Sequence, residues 1–382
     1  MTTRKMQGGR AGRWGGWAVG CAALMLVLAW SPAWGEGEAG GQETTLLLGP
    51  AARGDEQQTV DVATAETTAV AADAAPLALG PMAAAIAAGE AGGATPAAAP
   101  PAAPAQRGPP LPLHTVEGAG GALFVPFAYL VNPGPPGTVV APPSASYTLV
   151  NVGGKIVQQF VVSETFLRRI EFAYMFGTLN LGDFPQDVQR HTTIDIGFQH
   201  VVMHAFSLRG QVVEETPMIP AITAGVVFKY NPNVQDIDRR LFGNVRGLGF
   251  ARNNGTDFTL TATKCFPTLA FGRPLMLSGG LRFSQAAQLG YLGFGDAYRL
   301  TGEGDVCVLV TDWLAMSYEY RQKKNPYRTL GRLVGDEDDW QAICAAIIIN
   351  PHAVFAFGWG HFGNVVNHHE DGVWGFQFKY EF

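Results

Sequence analysis

Hydrophobic and polar residues alternate strictly at the C-terminal end of the chain. Aromatic residues occupy every second position from Trp374 to Phe382. The positions between them are small or polar: Gly375, Gln377, Lys379 and Glu381. Successive side chains of a β-strand point to opposite faces, so this pattern predicts a strand with one aromatic and one polar face. Such a face either packs in the core of a soluble protein or faces membrane lipid, and the pattern is typical of the closing strand of an outer-membrane barrel.

Similar segments precede the last strand along the C-terminal two thirds of the chain. Each covers roughly ten residues, the length that a tilted strand needs to cross a membrane. The pattern is poor in the first segment, and the tenth is apolar almost throughout. The twelve predicted strands are 122–131, 145–158, 169–179, 192–204, 219–230, 255–266, 274–285, 298–310, 313–322, 340–350, 352–362 and 372–382.

The connections between these segments alternate between long and short. The long ones are 132–144, 180–190, 231–254, 286–297, 323–339 and 363–371. The others are generally shorter, with 205–218 as the main exception, and both ends of the predicted barrel lie on the short-turn side. This asymmetry favours an all-β fold, an antiparallel up-and-down transmembrane β-barrel of about twelve strands. A soluble sandwich or lipocalin-like barrel is the alternative, because it also contains alternating strands.

The N-terminal third has a different composition. Residues 1–35 combine a basic start, an apolar run and a small-residue cleavage site, which predicts a signal peptide; an uncleaved inner-membrane anchor is the alternative. Residues 36–112 contain no Phe, Trp, Tyr or Lys and are rich in Ala and Pro, so we predict a disordered linker in the periplasm. Residues 113–382 then form the predicted barrel domain.

The overall composition excludes some classes of function. The 382 residues carry a net charge of −6, which gives no sign of nucleic-acid binding. The four cysteines show no short paired spacing, which argues against a zinc or CxxC redox site. A mean hydropathy of +0.09 together with 47% hydrophobic residues suits alternating strands better than apolar helices.

Five short stretches carry a family resemblance: 116–121 (VEGAGG), 255–264 (GTDFTLTATK), 289–296 (LGYLGFGD), 318–323 (YEYRQK) and 336–340 (DEDDW). They resemble a bacterial family of proteins of unknown function, DUF3034. They are spread over the predicted barrel and absent from the linker. The resemblance implies an exported, barrel-like protein of unassigned activity and supplies no catalytic residue.

The predicted polar face of the strands carries many charged residues. Charged groups inside a barrel must be paired or hydrated, so they indicate either a charged pore wall or an interior filled by ion pairs. The predicted lumen-lining residues are Arg169, Glu171, Asp195, Lys229, Asp257, Arg282, Glu303, Asp305, Glu319, Arg321, Lys379 and Glu381.

Two loop clusters and the serines are the remaining candidates for chemistry. The acidic run 336–339, with nearby basic residues, could bind a divalent cation or lipid phosphates, but an ordinary solvated loop is favoured. His361, His368, His369, Glu370 and Asp371 could capture a metal ion, but their spacing is not diagnostic and ordinary loop histidines are favoured. No Gly-x-Ser-x-Gly motif is present. We therefore predict no enzyme activity, no catalytic residue, no metal and no cofactor.

The function predicted from the sequence is a channel or small-solute transporter in the outer membrane. A structural or ligand-binding barrel with a plugged lumen is the alternative, and a lipid-modifying enzyme is less favoured. The expected partners are outer-membrane lipid, the barrel-assembly machinery, which would read the terminal strand ending in Phe382, and small solutes or ions.

Overall fold

The structure is a computed structural model that describes residues 111–382. The predicted signal peptide and all of the predicted linker except its last two residues lie outside the described residues. Of the part that the structure describes, no helix is long and apolar enough to cross a membrane.

Twelve antiparallel strands form a closed barrel, which confirms the predicted fold class. Neighbouring strands in the chain are neighbours in the barrel, and the last strand, β16, pairs with both β13 and β3 to close it. The barrel strands are β3 (Ser144–Val152), β4 (Lys155–Phe166), β5 (Ile170–Asn180), β6 (His200–Val213), β7 (Ala221–Tyr230), β8 (Asn254–Ala270), β9 (Arg273–Ala287), β10 (Gly293–Leu309), β11 (Leu314–Arg321), β12 (Trp340–Ile348), β13 (Ala353–His361) and β16 (Val373–Glu381).

Several short elements of residues 111–382 are not part of the barrel wall. Two small hairpins are β1 (Leu113–His114) with β2 (Gly120–Gly121), and β14 (Gly363–Val365) with β15 (His368–Glu370). The helices in the described part of the chain are α1 (Phe184–Thr192), α2 (Val234–Arg240) and α3 (Asn244–Leu248), and Gln288–Gly290 forms a 3-10 turn.

The two faces of the wall differ as the alternation predicted. On β16 the aromatic residues Trp374, Phe378 and Tyr380 are exposed on the outside, whereas Gln377 and Lys379 are fully buried inside. The same arrangement runs around the barrel, where exposed outward residues are aliphatic or aromatic. Examples from other strands are Phe160, Phe172, Leu208, Phe228, Leu260, Leu281, Leu300 and Ile343.

The two ends of the barrel also differ. One end has only short connections: 167–169, 214–220, 271–272, 310–313 and 349–352. The other end carries the long connections 181–199, 231–253, 322–339 and 362–372, with α1, α2, α3 and the β14–β15 hairpin inside them. Val188, Val245 and Phe250 from these connections share one hydrophobic cluster with Met203 of the wall. We call these the short-turn end and the long-loop end; β3 starts and β16 stops at the short-turn end.

The predicted number of strands is correct, but two strand assignments are wrong. Residues 122–131, the predicted first strand, lie inside the barrel and are not part of its wall. The predicted second strand, 145–158, contains a turn at Gly153 and Gly154 and contributes to both β3 and β4. Both glycines have positive φ (57° and 89°), as a two-residue hairpin turn requires, and the alternation on either side conceals the turn.

The predicted fourth strand, 192–204, also begins too early. Residues 184–192 form α1, which has Pro185 in its first turn, and the wall strand starts at His200. Proline at that position fixes a backbone angle suited to a helix start, and this local signal outweighs the alternation that follows.

Candidate functional site

The lumen of the barrel is occupied by the segment that precedes the first wall strand. Residues 112–132 are buried, except for the half-buried Tyr129. We call residues 111–132 the plug. The plug begins and ends near the short-turn end, where Lys379 of β16 donates to Pro112 O over 2.5 Å and Thr165 of β4 donates to Val131 O over 2.5 Å.

The middle of the plug folds into a tight hairpin. Phe127 N donates to Gly120 O over 3.0 Å, and Ala122 N donates to Val125 O over 2.9 Å. A Cβ atom at Gly121 would lie only 2.2 Å from Val125 O, so this close approach requires glycine. At the tip of the hairpin, Phe124 packs edge-on against Trp340 and Phe362 of the wall and the last long connection, with ring centroids about 6 Å apart.

Glu117 of the plug lies at the centre of a buried ion cluster. Its carboxylate is 2.8 Å from Arg321 Nη1 and 3.2 Å from Arg282 Nη2, and it also pairs with Lys229. Two wall carboxylates complete the cluster: Asp257 pairs with Lys229 at 2.7 Å, and Glu303 pairs with Arg321 at 3.0 Å. The cluster therefore contains three cations and three carboxylates. Its net charge is zero only because the plug supplies one of the carboxylates, Glu117.

Two further wall carboxylates accept hydrogen bonds from the plug backbone. Glu319 accepts from the amides of Leu123, Phe124 and Val125 over 2.8–3.0 Å. Its side chain is fully buried, so these charge-assisted bonds replace water around the carboxylate.

Glu171 does the same on the opposite side. It accepts from Gly120 N over 3.0 Å and from Val131 N over 2.7 Å, and it pairs with Arg209 at 3.2 Å. Arg209 in turn donates to Gly120 O over 2.7 Å. Wall side chains thus satisfy backbone groups of the plug that a strand would satisfy in a sheet.

His114 makes a polar contact between the plug and the wall. Its two ring nitrogens lie 2.8 Å from Ser146 Oγ and 2.7 Å from Ser163 Oγ, and its backbone exchanges hydrogen bonds with the amide of Gln377. His114 and Ser163 bring a histidine close to a serine, but both side chains are buried and both are used to hold the plug.

At the short-turn end the plug is held by Tyr129, whose hydroxyl donates to Glu215 in the connection between β6 and β7. Glu215 also accepts from Cys265 N over 2.9 Å and pairs with Lys264 at 3.1 Å. Partial burial disfavours the charged carboxylate, but these hydrogen bonds and the nearby lysine outweigh it and lower the pKa of Glu215.

Small cavities remain between the plug and the wall. One of about 80 Å³ is lined mainly by apolar residues of the plug tip and the long-loop half of the barrel, including Val116, Leu123, Val150 and Val157. One of about 30 Å³ lies beside the ion cluster. Such a cavity needs roughly 10–15 Å³ to hold one water molecule, so both cavities are large enough to contain water.

Ten of the twelve predicted lumen residues lie buried inside the barrel, and most of them contact the plug or each other. They are Glu171, Lys229, Asp257, Arg282, Glu303, Asp305, Glu319, Arg321, Lys379 and Glu381. Asp305 lies directly opposite Glu319 on the neighbouring strand, and neither of its carboxylate oxygens has a hydrogen-bond partner among the described residues.

The prediction was wrong for Arg169 and Asp195. Arg169 lies in the short turn between β4 and β5, where it is half exposed and pairs with Glu214 at 2.8 Å. Asp195 is exposed in the connection after α1 and accepts from Gly197 N over 2.8 Å. Both errors follow from extending the alternation to positions before the strand begins, which is at Ile170 for β5 and at His200 for β6.

Sequence reasoning missed the plug residues Glu117 and His114 and the wall residue Arg209. Arg209 lay in a predicted connection, although the alternation continues through 208–210. Glu117 lies in 116–121, one of the stretches that carry the family resemblance, and this was the available signal. The acidic run 336–339 is partly used within the protein: Glu337 pairs with Lys323 at 2.7 Å and accepts from Gln288 N over 2.7 Å.

Comparison with solved structures finds other β-barrels of low similarity. A KdgM porin is 10% identical with a TM-score of 0.38, covering 63% of this chain and 99% of that chain. A NanC porin is 8% identical with a TM-score of 0.38, covering 63% and 98%. The COG4313 outer membrane channel from Pseudomonas putida F1 is 12% identical with a TM-score of 0.36, covering 65% and 100%.

The sequence comparisons point to one family. No curated protein matches the chain. A family model described as "Protein of unknown function (DUF3034)" matches residues 112–377, which include the plug and nearly all of the barrel. The chain belongs to the DUF3034 family.

Proposed function

We propose that the protein is an outer-membrane channel or transporter for small solutes, and that the plug closes it. The outward face of the wall supports the membrane part of this proposal. It is a continuous surface of exposed aliphatic and aromatic side chains, which in water would be an aggregation hazard and in lipid is the expected surface. The short-turn end, where both ends of the wall lie, would face the periplasm.

The observation that carries the channel proposal is the ion cluster around Glu117. Replacing buried ion pairs by well-packed apolar residues is often neutral or stabilising, so permanent closure of a barrel does not require charges. Without Glu117 the cluster would contain three cations and two carboxylates, a charged wall that water can hydrate. A wall that suits water and a plug that neutralises it are the features expected of a gate.

The plug is also placed so that it can be reached from one side. It enters at the short-turn end through Pro112 and returns there at Val131, so that displacement towards that end does not require the wall to open. In this proposal the preceding linker lies in the periplasm and is the segment on which a displacing force would act.

Ion conductance in planar bilayers tests the proposal. The full chain is compared with a variant that lacks residues 111–132, and heat-modifiable migration on a gel verifies that both are folded. We expect the full chain to be closed with brief openings and the deletion variant to conduct continuously, because its charged wall becomes hydrated. A folded deletion variant that does not conduct would contradict the channel and favour a structural barrel.

A further inference from the structure

The last long connection carries a hairpin that is fixed to the barrel wall. In the β14–β15 hairpin, Gly363 pairs with Glu370, and the Glu370 carboxylate turns inward to pair with Lys155 of β4 at 2.9 Å. Because alternate residues point to opposite sides, His369 and Asp371 on either side of Glu370 point outward and are exposed. The buried ion pair therefore sets the direction of the two exposed side chains.

These two side chains meet the last residue of β13. Asp371 Oδ1 lies 2.8 Å from His361 Nδ1 and 2.9 Å from His369 Nε2. The imidazole ring centroids are 5.4 Å apart, and the ligand atoms of the three residues all lie within 4.8 Å of one another. Residues that are up to ten positions apart in the sequence thus present two nitrogens and one oxygen to the same point.

A fourth group lies at the edge of this cluster. Asp338, in the connection between β11 and β12, has Oδ2 3.7 Å from His369 Nδ1 and accepts from Asn364 N over 2.8 Å. This approach depends on Gly363, where a Cβ would be 2.3 Å from the Asp338 Cβ. Two long connections therefore meet at the cluster.

We propose that His361, His369 and Asp371 form a binding site for Zn²⁺ at the long-loop end of the barrel. Two imidazoles and one carboxylate are a ligand set that zinc uses, with metal–ligand distances of about 2.0–2.2 Å and space for a water as the fourth ligand. Ligand atoms around a tetrahedral zinc are about 3.3 Å apart, so small rotations of these exposed side chains bring all three into position. The side chains are 42–70% exposed, so the ion can enter from solvent.

The ligand types of this site favour a different metal ion from the one that the acidic groups nearby would favour. Hard cations such as Ca²⁺ and Mg²⁺ bind six or more oxygens or keep several waters, whereas imidazole nitrogen favours zinc and copper. A bound ion would join the end of β13 to the hairpin and hold the last connection closed over this part of the barrel. The site lies outside the lumen, so it is independent of the plug.

Zinc titration of the purified, tag-free protein in detergent tests the proposal. Binding is measured by isothermal titration calorimetry with ZnCl₂, and Co²⁺ is used as a visible-absorption probe of tetrahedral nitrogen and oxygen ligands. We expect one ion per chain, and we expect H361A, H369A and D371N each to weaken binding by roughly tenfold or more, because each removes a ligand.

His368→Ala is the matched control, because His368 is exposed in the same hairpin but does not belong to the cluster. It should bind zinc as the natural chain does. All of these residues are exposed or half exposed, so the variants should fold, and heat-modifiable migration verifies this. No binding by the natural chain would overturn the proposal, and so would equal losses in H369A and H368A.

Discussion

The terminal strand β16 and the plug show two ways in which the backbone groups of a chain can form their hydrogen bonds within the same barrel. β16 pairs along its length with β13 and β3, so its backbone groups are bonded to other backbones and its side chains are divided between two environments. The plug has no such neighbours on most of its length, and Glu171, Glu319 and Arg209 of the wall bond its backbone instead. A strict alternation identifies the first kind of segment, and polar acceptors on surrounding strands identify the second.

Strand β16 and the plug are also held in place by different kinds of interaction. The position of β16 depends on apolar side chains that face outward, whereas the position of the plug depends on buried charges that face inward. Substitutions in the two regions should therefore have different signatures. The expected effects range from several kcal/mol for a broken buried ion pair to less than about 1 kcal/mol for one relieved repulsion.

Glu117→Ala should have the largest effect, confined to the plug. It leaves Lys229, Arg282 and Arg321 without their shared partner, and breaking a buried pair costs roughly 3–5 kcal/mol. The plug amides should then exchange hydrogen on the order of a hundred times faster or more, as a mass-spectrometric exchange experiment can measure. Glu214→Ala, which removes only a surface pair with Arg169, is the control and should leave the rates unchanged. Plug amides that stay as protected as those of β16 would contradict the role of the cluster.

Leu281→Arg tests the outward face. Leu281 lies near the middle of β9 and is 51% exposed. In lipid a central arginine costs roughly 2–4 kcal/mol, whereas on a water-exposed surface the change is expected to stay within about 0.5 kcal/mol. Urea unfolding in lipid vesicles measures this difference. A small effect would indicate that this face does not contact lipid.

Gly121→Ala should destabilise the plug hairpin. The added methyl group would meet Val125 O and Pro126 Cα, and overpacking of this kind costs roughly 1–3 kcal/mol. Hydrogen exchange of the hairpin amides reports the change. Gly372→Ala is the matched control, because nothing lies within 4 Å of a Cβ at that position. Equal exchange rates in the two variants would mean that the hairpin is not tightly packed.

Asp305→Asn should be mildly stabilising. Asp305 and Glu319 are directly opposite each other on β10 and β11, and like charges at such positions cost up to about 1 kcal/mol. The amide keeps the shape and removes the repulsion. Urea unfolding should show a slightly higher midpoint, with Asp312→Asn in an exposed turn as the control. A lower midpoint would show that the Asp305 charge has a stabilising partner.

The wall of the barrel could be predicted from the sequence because each wall strand repeats the same two-residue pattern. The long and short ends and most of the inward charges follow from that pattern alone. The number of strands is correct because the false first strand, 122–131, offsets the predicted second strand, which is really two strands, β3 and β4. The errors occur where the alternation extends outside the actual strand, as at Arg169 and Asp195, or where a turn lies inside a predicted strand, as at Gly153.

The plug could not be predicted in the same way. Its position depends on contacts with residues far away in the sequence, such as Glu117 with Arg321, and no local period encodes such contacts. The cluster of His361, His369 and Asp371 is similar, because the approach of His361 depends on how the last connection folds back. The sequence could therefore suggest these residues as candidates, but it could not show that they lie close together in the fold.

A reversible lock tests most directly whether the plug closes the barrel. A Cβ at Gly118 of the plug would lie 3.9 Å from Ala173 Cβ of the wall, close to the mean of about 3.8 Å in disulfides. G118C/A173C is prepared with Cys21, Cys265, Cys307 and Cys344 changed to serine, and its single-channel conductance is recorded before and after reduction. Because Gly118 has a φ of 90°, G118A in the same background is the control for a side chain at that position. If the plug closes the barrel, the oxidised protein stays closed and reduction restores the openings. Equal conductance in both states, whether open or silent, would contradict closure by the plug.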